Sequence, residues 1–307
     1  MKLLLLVNSS ASSVTARGRV VIQKALAADH QVTLAETTRR GNATPLAASA
    51  AANGTDVVVV LGGDGTLNEA ANGLVGTDCA LAALPGGSTN VFARTIGLPN
   101  DPLEATGVLL DALDGGSIRR VDLGTVNGRA FLFHTGVGFD AAVVREVEKR
   151  STLKRWAGHP LFIWAAVKTW GRGYDRRRPH LHIAGDGGTD IDGFFTLVLN
   201  TDPYTFLGNR PLHITDEAGL DRPLVAVTLR SLRVDALLRV VAGSLGAGRS
   251  VAASRHVDVR TGVRELTITG DEPLPYQVDG DYLGEATTLT FRHEPQALNL
   301  VVPRDRS

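Results

Sequence analysis

Short apolar runs, each closed by glycine or small polar residues, dominate the first third of the chain. Leu3 to Val7 is the first, His30 to Leu34 the second, Val57 to Leu61 the third and Ala80 to Leu84 the fourth. Leu3 to Val7 and Val57 to Leu61 lack the polar alternation of a half-solvated strand, so they read as strands buried on both faces. Helical patterns fall between them: residues 16–28, the Ala-rich stretch from Pro45 to Asn53, and a segment reaching about Leu74. Strand and helix in alternation up to about residue 115 predict a doubly wound α/β domain with a parallel sheet. Right-handed crossovers then bring the carboxyl ends of the strands to one edge, where open α/β sheets bind ligands.

The pattern changes after Gly115-Gly116. Short strand-like runs follow at Arg119 to Val126, Arg129 to His134, His180 to Ala184, Gly193 to Asn200, Pro223 to Leu229, His256 to Thr261, Glu265 to Thr269, Tyr276 to Val278 and Thr287 to Arg292. Turn signals punctuate them at Asn127-Gly128, Asp186-Gly187-Gly188 and Asp279-Gly280. This half reads as an antiparallel β-sandwich domain with helical insertions near 140–172 and 233–246. The expected division is 1–118 and 119–297, with 298–307 returning to the first domain through the apolar run Leu298 to Val302.

Composition narrows the function classes. The 307 residues balance 32 Lys and Arg against 32 Asp and Glu, so no global charge argues for nucleic acid. The single cysteine, Cys79, excludes an intrachain disulfide and a cysteine-based zinc cluster, and is expected to pack. Met1 to Val7 is too short and too lightly charged for a signal peptide or a membrane span, which makes the cytoplasm the default location.

Candidate chemistry sits at three strand ends. The third strand runs into Gly62-Gly63-Asp64-Gly65-Thr66, where glycines allow close backbone approach and direct N–H groups at an anion. Thr66 and Glu69 have the spacing of a capping box, which predicts a helix start at Thr66. Asp64, a carboxylate among anion-attracting groups, makes sense if it manages a cation or a proton. The first strand ends in Asn8-Ser9-Ser10-Ala11-Ser12-Ser13, and the fourth in Pro85-Gly86-Gly87-Ser88-Thr89-Asn90. Read alone, each is also what an ordinary solvated turn looks like. Two glycine turns at successive strand ends, each followed by an Asn, are harder to ascribe to chance.

The glycine–aspartate turn with Asn68-Glu69 and Asn72-Gly73 behind it, the Pro-Gly-Gly-Ser-Thr-Asn segment, and the late Tyr276-Gln277-Val278-Asp279-Gly280-Asp281 together resemble the diacylglycerol kinase catalytic-domain family. The closer likeness is to bacterial soluble lipid kinases, which are similar in turn to sphingosine and ceramide kinases. The resemblance covers nearly the whole chain and implies a nucleotide-binding α/β domain, a β-sandwich domain and a cleft between them. It implies ATP binding by Asn8, Ser9, Ser10, Ser12, Thr37, Gly62, Gly63, Asp64, Gly65, Thr66, Asn68, Gly87, Ser88 and Asn90, with Mg²⁺ bridging the phosphates. Asp64 then orients that Mg²⁺ or accepts the substrate proton, and Arg94 is either a phosphate partner or a surface arginine.

Relatives place a glutamate in the late motif as proton acceptor for the lipid hydroxyl. The matching residue here is Asp281, shorter by a methylene. It is expected to be the general base, with Asp64 sharing catalysis. A second departure is Leu220-Asp221-Arg222-Pro223, where relatives carry an acidic pair that binds a structural Mg²⁺. Arg222 puts a cation there, so the metal site at Asp221 is expected to be weak or lost.

The acceptor is expected to be a lipid at the membrane surface, diacylglycerol first. Sphingoid base, phosphatidylglycerol, a polyol or NAD remain alternatives, as does a nucleotide-gated lipid-binding protein with little catalysis. Residues 151–178 hold Trp156, Trp164 and Trp170 beside Arg176-Arg177-Arg178, a composition that suits peripheral contact with the inner face of the plasma membrane. A solvated arginine run after a packed helix fits equally well. His134 and His159 are expected to be packed rather than catalytic, and a homodimer stays open.

Overall fold

The computed structural model describes residues 1–148, 178–185, 188–245, 251 and 254–304. Two compact units emerge: Met1–Leu123 with Gln296–Ser307, and Gly124–Pro295.

In the first unit the order is β1 (Lys2–Val7), α1 (Ala16–Leu26), β2 (Gln31–Glu36), α2 (Ala43–Ala52), β3 (Val57–Gly62), α3 (Asp64–Leu74), β4 (Ala80–Pro85), α4 (Val91–Thr95) and α5 (Pro102–Asp114). The four strands are parallel in the order β2-β1-β3-β4, with Val7 opposite both Glu36 and Leu61. All of β3 and β4 is buried, as an uninterrupted apolar run requires. β2 is the edge strand and keeps Thr33 and Leu34 exposed. α5 was not anticipated, although its signals were present. Asp101 caps it by accepting from the N–H groups of Leu103 (2.9 Å) and Glu104 (3.0 Å), with Pro102 at its first position.

The second unit begins within β5 (Ile118–Val126) and continues through β6 (Arg129–Phe131), β7 (His134–Gly138), α6 (Phe139–Glu148), β8 (Leu181–Ala184), β9 (Ile191–Gly193) and β10 (Phe195–Leu199). Then come β11 (Thr205–Leu207), β12 (Arg210–Leu212), β13 (Leu224–Leu229), α7 (Val234–Ser244), β14 (Val257–Val263), β15 (Glu265–Val278) and β16 (Asp281–Val301). Its strands pair antiparallel in the order β14-β13-β10-β7-β15-β16, with β8 also on β15. One core packs Phe131, Val137, Val198, Ile268, Leu289 and Phe291, and a second packs Leu197, Leu199, Val225 and Val227. The end of β16 belongs to the first unit, where Leu300 stands beside Leu81 of β4.

Three strand readings need correction. Glu265–Thr269 and Tyr276–Val278 are one strand, β15, whose register against β16 shifts between Thr269 and Leu274. The stretch Gly270-Asp271-Glu272-Pro273 between them is absorbed as an irregularity within a continuing strand. Likewise 287–292 and 298–302 lie on a single β16 that ends at Val301. The run Arg129 to His134 is divided, because the N–H groups of Leu132 and Phe133 are taken by the Asp279 carboxylate rather than by a neighbouring strand. The expected membrane segment up to Arg177, His159 within it, and Asp186-Gly187 lie outside the described residues.

His134 is buried and lies between two rings, Phe133 edge-on at 4.8 Å and Tyr204 tilted at 4.5 Å. Burial pulls its pKa from 6.5 down to about 3, because the imidazolium would lose its hydration. The unfolded chain therefore binds the extra proton between those values. The stabilisation is complete above pH 6.5 and is lost as pH falls toward 3. Denaturant titrations across that range should show stability dropping on acidification, and His134→Gln should flatten that slope. An unchanged slope in the variant would contradict the assignment.

Candidate active site

Three strand-end turns of the first unit are fastened to one another through backbone contact. Gly86 N–H donates to the Gly62 carbonyl at 2.8 Å. A Cβ on Gly86 would stand 2.9 Å from Gly62 Cα, and one on Gly87 would stand 2.9 Å from Gly63 Cα. The glycines are thus required first by each other: the turns after β3 and β4 lie main chain against main chain. None of these four has a positive φ, so the demand is for space and not for left-handed backbone.

The turn after β1 joins by main chain and side chain together. Ser13 N–H donates to the Gly86 carbonyl at 2.9 Å and its hydroxyl to the Gly87 carbonyl at 3.1 Å. Asn8 donates from its amide to Thr66 Oγ1 at 2.9 Å, while its Oδ1 accepts from Ser10 N–H at 3.0 Å. Asn90, buried and left-handed at φ 50°, holds the Gly87 peptide from both sides: Oδ1 accepts its N–H at 2.7 Å and Nδ2 donates to its carbonyl at 2.9 Å. Asn tolerates that backbone better than most residues. Asn90 therefore positions the turn, with Gly87 presented by it.

α3 does not start where the capping box placed it. Its cap is Gly63 and its first residue Asp64, so Thr66 lies inside the helix and meets Asn8 instead. Glu69 does cap a helix, but the neighbouring one. Its carboxylate accepts the N–H groups of Gly41 (2.7 Å) and Ala43 (3.1 Å) at the start of α2, whose own cap residue Asn42 makes no such bond. A through-space cap between helices cannot be told from local spacing.

Asp64 is half-buried and takes the Val91 N–H at 3.0 Å and the Phe92 N–H at 3.1 Å, capping α4. A carboxylate has about four lone-pair sites, so these two bonds aim it without exhausting it. Arg94 lies within its field. Burial lowers the guanidinium pKa and the Asp64 charge works against that. Ser9, Ser10, Ser12 and Ser88 stand exposed on the rim of these turns, with Gly65 half-buried. Thr37 follows β2 on the same edge, its N–H on the Val7 carbonyl at 2.9 Å. Asn68 is not on that rim. It is buried in α3, where Asn72 Nδ2 donates to its carbonyl at 2.9 Å.

In the second unit Asp279 and Gly280 form a two-residue hairpin turn with φ of 48° and 79°, between β15 and β16. Asp281 is the residue that closes it, opposite Val278 and half-buried. The hairpin is clamped by Asp279, a residue that sequence reading took for turn punctuation. Its carboxylate accepts the N–H groups of Leu132 (2.8 Å), Phe133 (3.0 Å) and His134 (3.1 Å), and its own N–H donates to the His134 carbonyl at 2.9 Å. Gln277 Oε1 secures the Gly280 N–H at 2.8 Å. Asp221 and Arg222 pair at 3.5 Å on an exposed turn, and no group of three or more metal-ligating side chains is present among the described residues. Cys79 is buried, which pushes its thiol pKa up to about 11 and keeps it unreactive.

Residues 2–126 match the family model for the diacylglycerol kinase catalytic domain. The chain is 38% identical to the diacylglycerol kinase of Bacillus subtilis over 94% of its length and 91% of that protein. A Pseudomonas fluorescens protein named as a probable YegS-like lipid kinase is 28% identical over 99% of this chain and 95% of its own. Two crystal structures from Bacillus anthracis str. Sterne share the fold. One has a TM-score of 0.78 at 22% identity over 98% of this chain and 95% of that one. The other, described as a diacylglycerol kinase, has a TM-score of 0.69 at 20% identity over 98% and 96%.

The chain belongs to the diacylglycerol kinase catalytic-domain family, among the bacterial soluble lipid kinases. It is a phosphotransferase, and a kinase of this family uses ATP with a divalent metal. Among the described residues no helix is long and apolar enough to cross a membrane.

Proposed function

We propose that this chain transfers the γ-phosphoryl group of ATP to the primary hydroxyl of diacylglycerol, with Mg²⁺ as the metal. The observation that carries the acceptor is the near full-length likeness to the Bacillus subtilis diacylglycerol kinase. The first unit suits the nucleotide. Its turns after β1, β3 and β4 gather N–H groups at the carboxyl edge of a parallel sheet, which is where phosphates are held. Gly62, Gly63, Gly65, Gly87 and Ser88 would line the phosphates, with Asn8, Ser9, Ser10, Ser12 and Thr37 along the rest of that edge. Asp64, oriented by the α4 N-terminus, would face the metal. Bound Mg²⁺ would neutralise charge on the transferring phosphoryl group.

Phosphoryl transfer asks the protein mainly for positioning and charge neutralisation. What remains is to take the proton of the acceptor hydroxyl, and Asp281 is our assignment for that step. The test is to incubate purified protein with labelled ATP, MgCl₂ and a panel of diacylglycerol, sphingosine, ceramide, phosphatidylglycerol, glycerol and NAD. Labelled phosphatidic acid is the expected product. Label in any other acceptor with none in phosphatidic acid would overturn the choice of diacylglycerol.

A further inference from the structure

Glu69 is the one buried acid of the glycine–aspartate segment that has no part in the site described above. It sits a turn and a half along α3 from Asp64, and its carboxylate leaves its own helix. Both oxygens are committed to the loop between β2 and α2, one to Gly41 N–H at 2.7 Å and the other to Ala43 N–H at 3.1 Å. That loop begins with Thr37. Thr37 N–H also ties the loop to β1 through the Val7 carbonyl at 2.9 Å, and within the loop Asn42 N–H donates to the Arg39 carbonyl at 3.3 Å while Asn42 Oδ1 accepts from Thr38 N–H at 3.1 Å and Thr38 Oγ1 at 3.3 Å. The two bonds to Glu69 tie Gly41 and Ala43 to the helix that carries Asp64.

We infer that Glu69 is a positioning residue for the nucleotide: by holding Gly41 and Ala43 it sets the place of the Thr37–Asn42 loop against the glycine turns, and so sets ATP affinity. The inference rests on the nucleotide site proposed above. α3 would then serve three loops at once, with Asp64 holding the start of α4, Thr66 the turn after β1 and Glu69 the loop after β2. The chemistry of the last contact is selective. Two N–H donors converge on two anionic oxygens, so a carboxamide can satisfy only one and turns its NH₂ toward the other. An aspartate is a methylene short of both.

In the proposed nucleotide site Thr37 of this loop would meet the nucleotide in ground state and transition state alike, so loosening the loop would remove uniform binding. That raises KM for ATP and leaves kcat alone. Losing one charge-assisted bond leaves the loop in its binding place in about a tenth of the molecules, which weakens apparent affinity about tenfold. We expect Glu69→Gln to raise KM for ATP about tenfold with kcat within twofold and KM for the lipid unchanged. Titration with a fluorescent ATP analogue should show the same weakening without turnover. Thr44→Ala is the structural control. It deletes a 2.8 Å bond from the Thr44 hydroxyl to the Glu69 carbonyl and leaves the carboxylate contacts in place, so both constants should stay near wild type. Glu69→Gln combined with Thr37→Ala should cost less than the two separately, because both act through one loop.

Unchanged analogue affinity in Glu69→Gln overturns the inference, as does an equal loss in Thr44→Ala. A wild-type chain that binds the analogue but phosphorylates nothing would strike at the kinase assignment instead, and the affinity comparison would still decide the role of Glu69. A wild-type chain that binds no analogue removes both.

Discussion

Replacing Asp279 with Ala should destabilise the second unit by about 3–5 kcal/mol, enough to abolish lipid phosphorylation at ordinary temperatures. Three buried N–H groups, on Leu132, Phe133 and His134, have this carboxylate as their acceptor. Each donor left unsatisfied costs about 1–3 kcal/mol, and Ala adds strain at φ 48°, a region it avoids. Part of the loss is offset by no longer burying a charge. Asp279→Asn is the cleaner probe. It keeps the volume and tolerates the backbone. Placed where Oδ1 stands, its oxygen still serves Phe133 and His134, and only the Leu132 donor is lost. A smaller loss of about 1–3 kcal/mol is expected. Urea titration measures both, and a wild-type midpoint for Asp279→Ala would refute the clamp.

Asp281→Asn should leave the fold and ATP binding intact and lower kcat about a hundredfold or more, the usual worth of a general base. The side chain closes the hairpin that Asp279 fastens, so it starts from a fixed backbone. Asp281→Glu keeps the carboxylate, adds one methylene and should retain much of the turnover, since either acid can accept a proton if its reach suits. The pair of variants separates charge from length. Near-normal turnover in Asp281→Asn would move the proton to Asp64. Asp281 would then be a hairpin residue only.

These two residues also mark how far the sequence could be read. The parallel sheet was legible because β1, β3 and β4 are uninterrupted apolar runs that nothing but a doubly covered strand explains. Asp279-Gly280 and Asn127-Gly128 were legible as turns because both residues of each pair must take positive φ. The bonds made across space were not. Asp279 reaches back nearly 150 positions to Leu132, and Glu69 leaves its own helix for α2. Local spacing assigned both to their nearest neighbours, a turn in one case and a capping box in the other. Long strands failed for a related reason. Gly270 to Pro273 is a terminator by composition, and only pairing on both sides shows β15 running through it.

The contact between Gly62-Gly63 and Gly86-Gly87 sets a gauge. Where two turns meet main chain to main chain, their closest approach is the thickness of polypeptide itself, and side chains such as Asn90 hold them there without coming between them. Such a spacing is already the minimum a protein can make. At Gly86 and Gly87 a Cβ would press on the facing backbone, so a larger residue at either moves the turns in one direction, apart. If these turns hold phosphate as proposed, a methyl group at Gly86 or Gly87 would make room for a larger anion. A tighter grip on a smaller anion would have to come from the rim, from side chains such as Ser12 and Ser88 that stand in solvent.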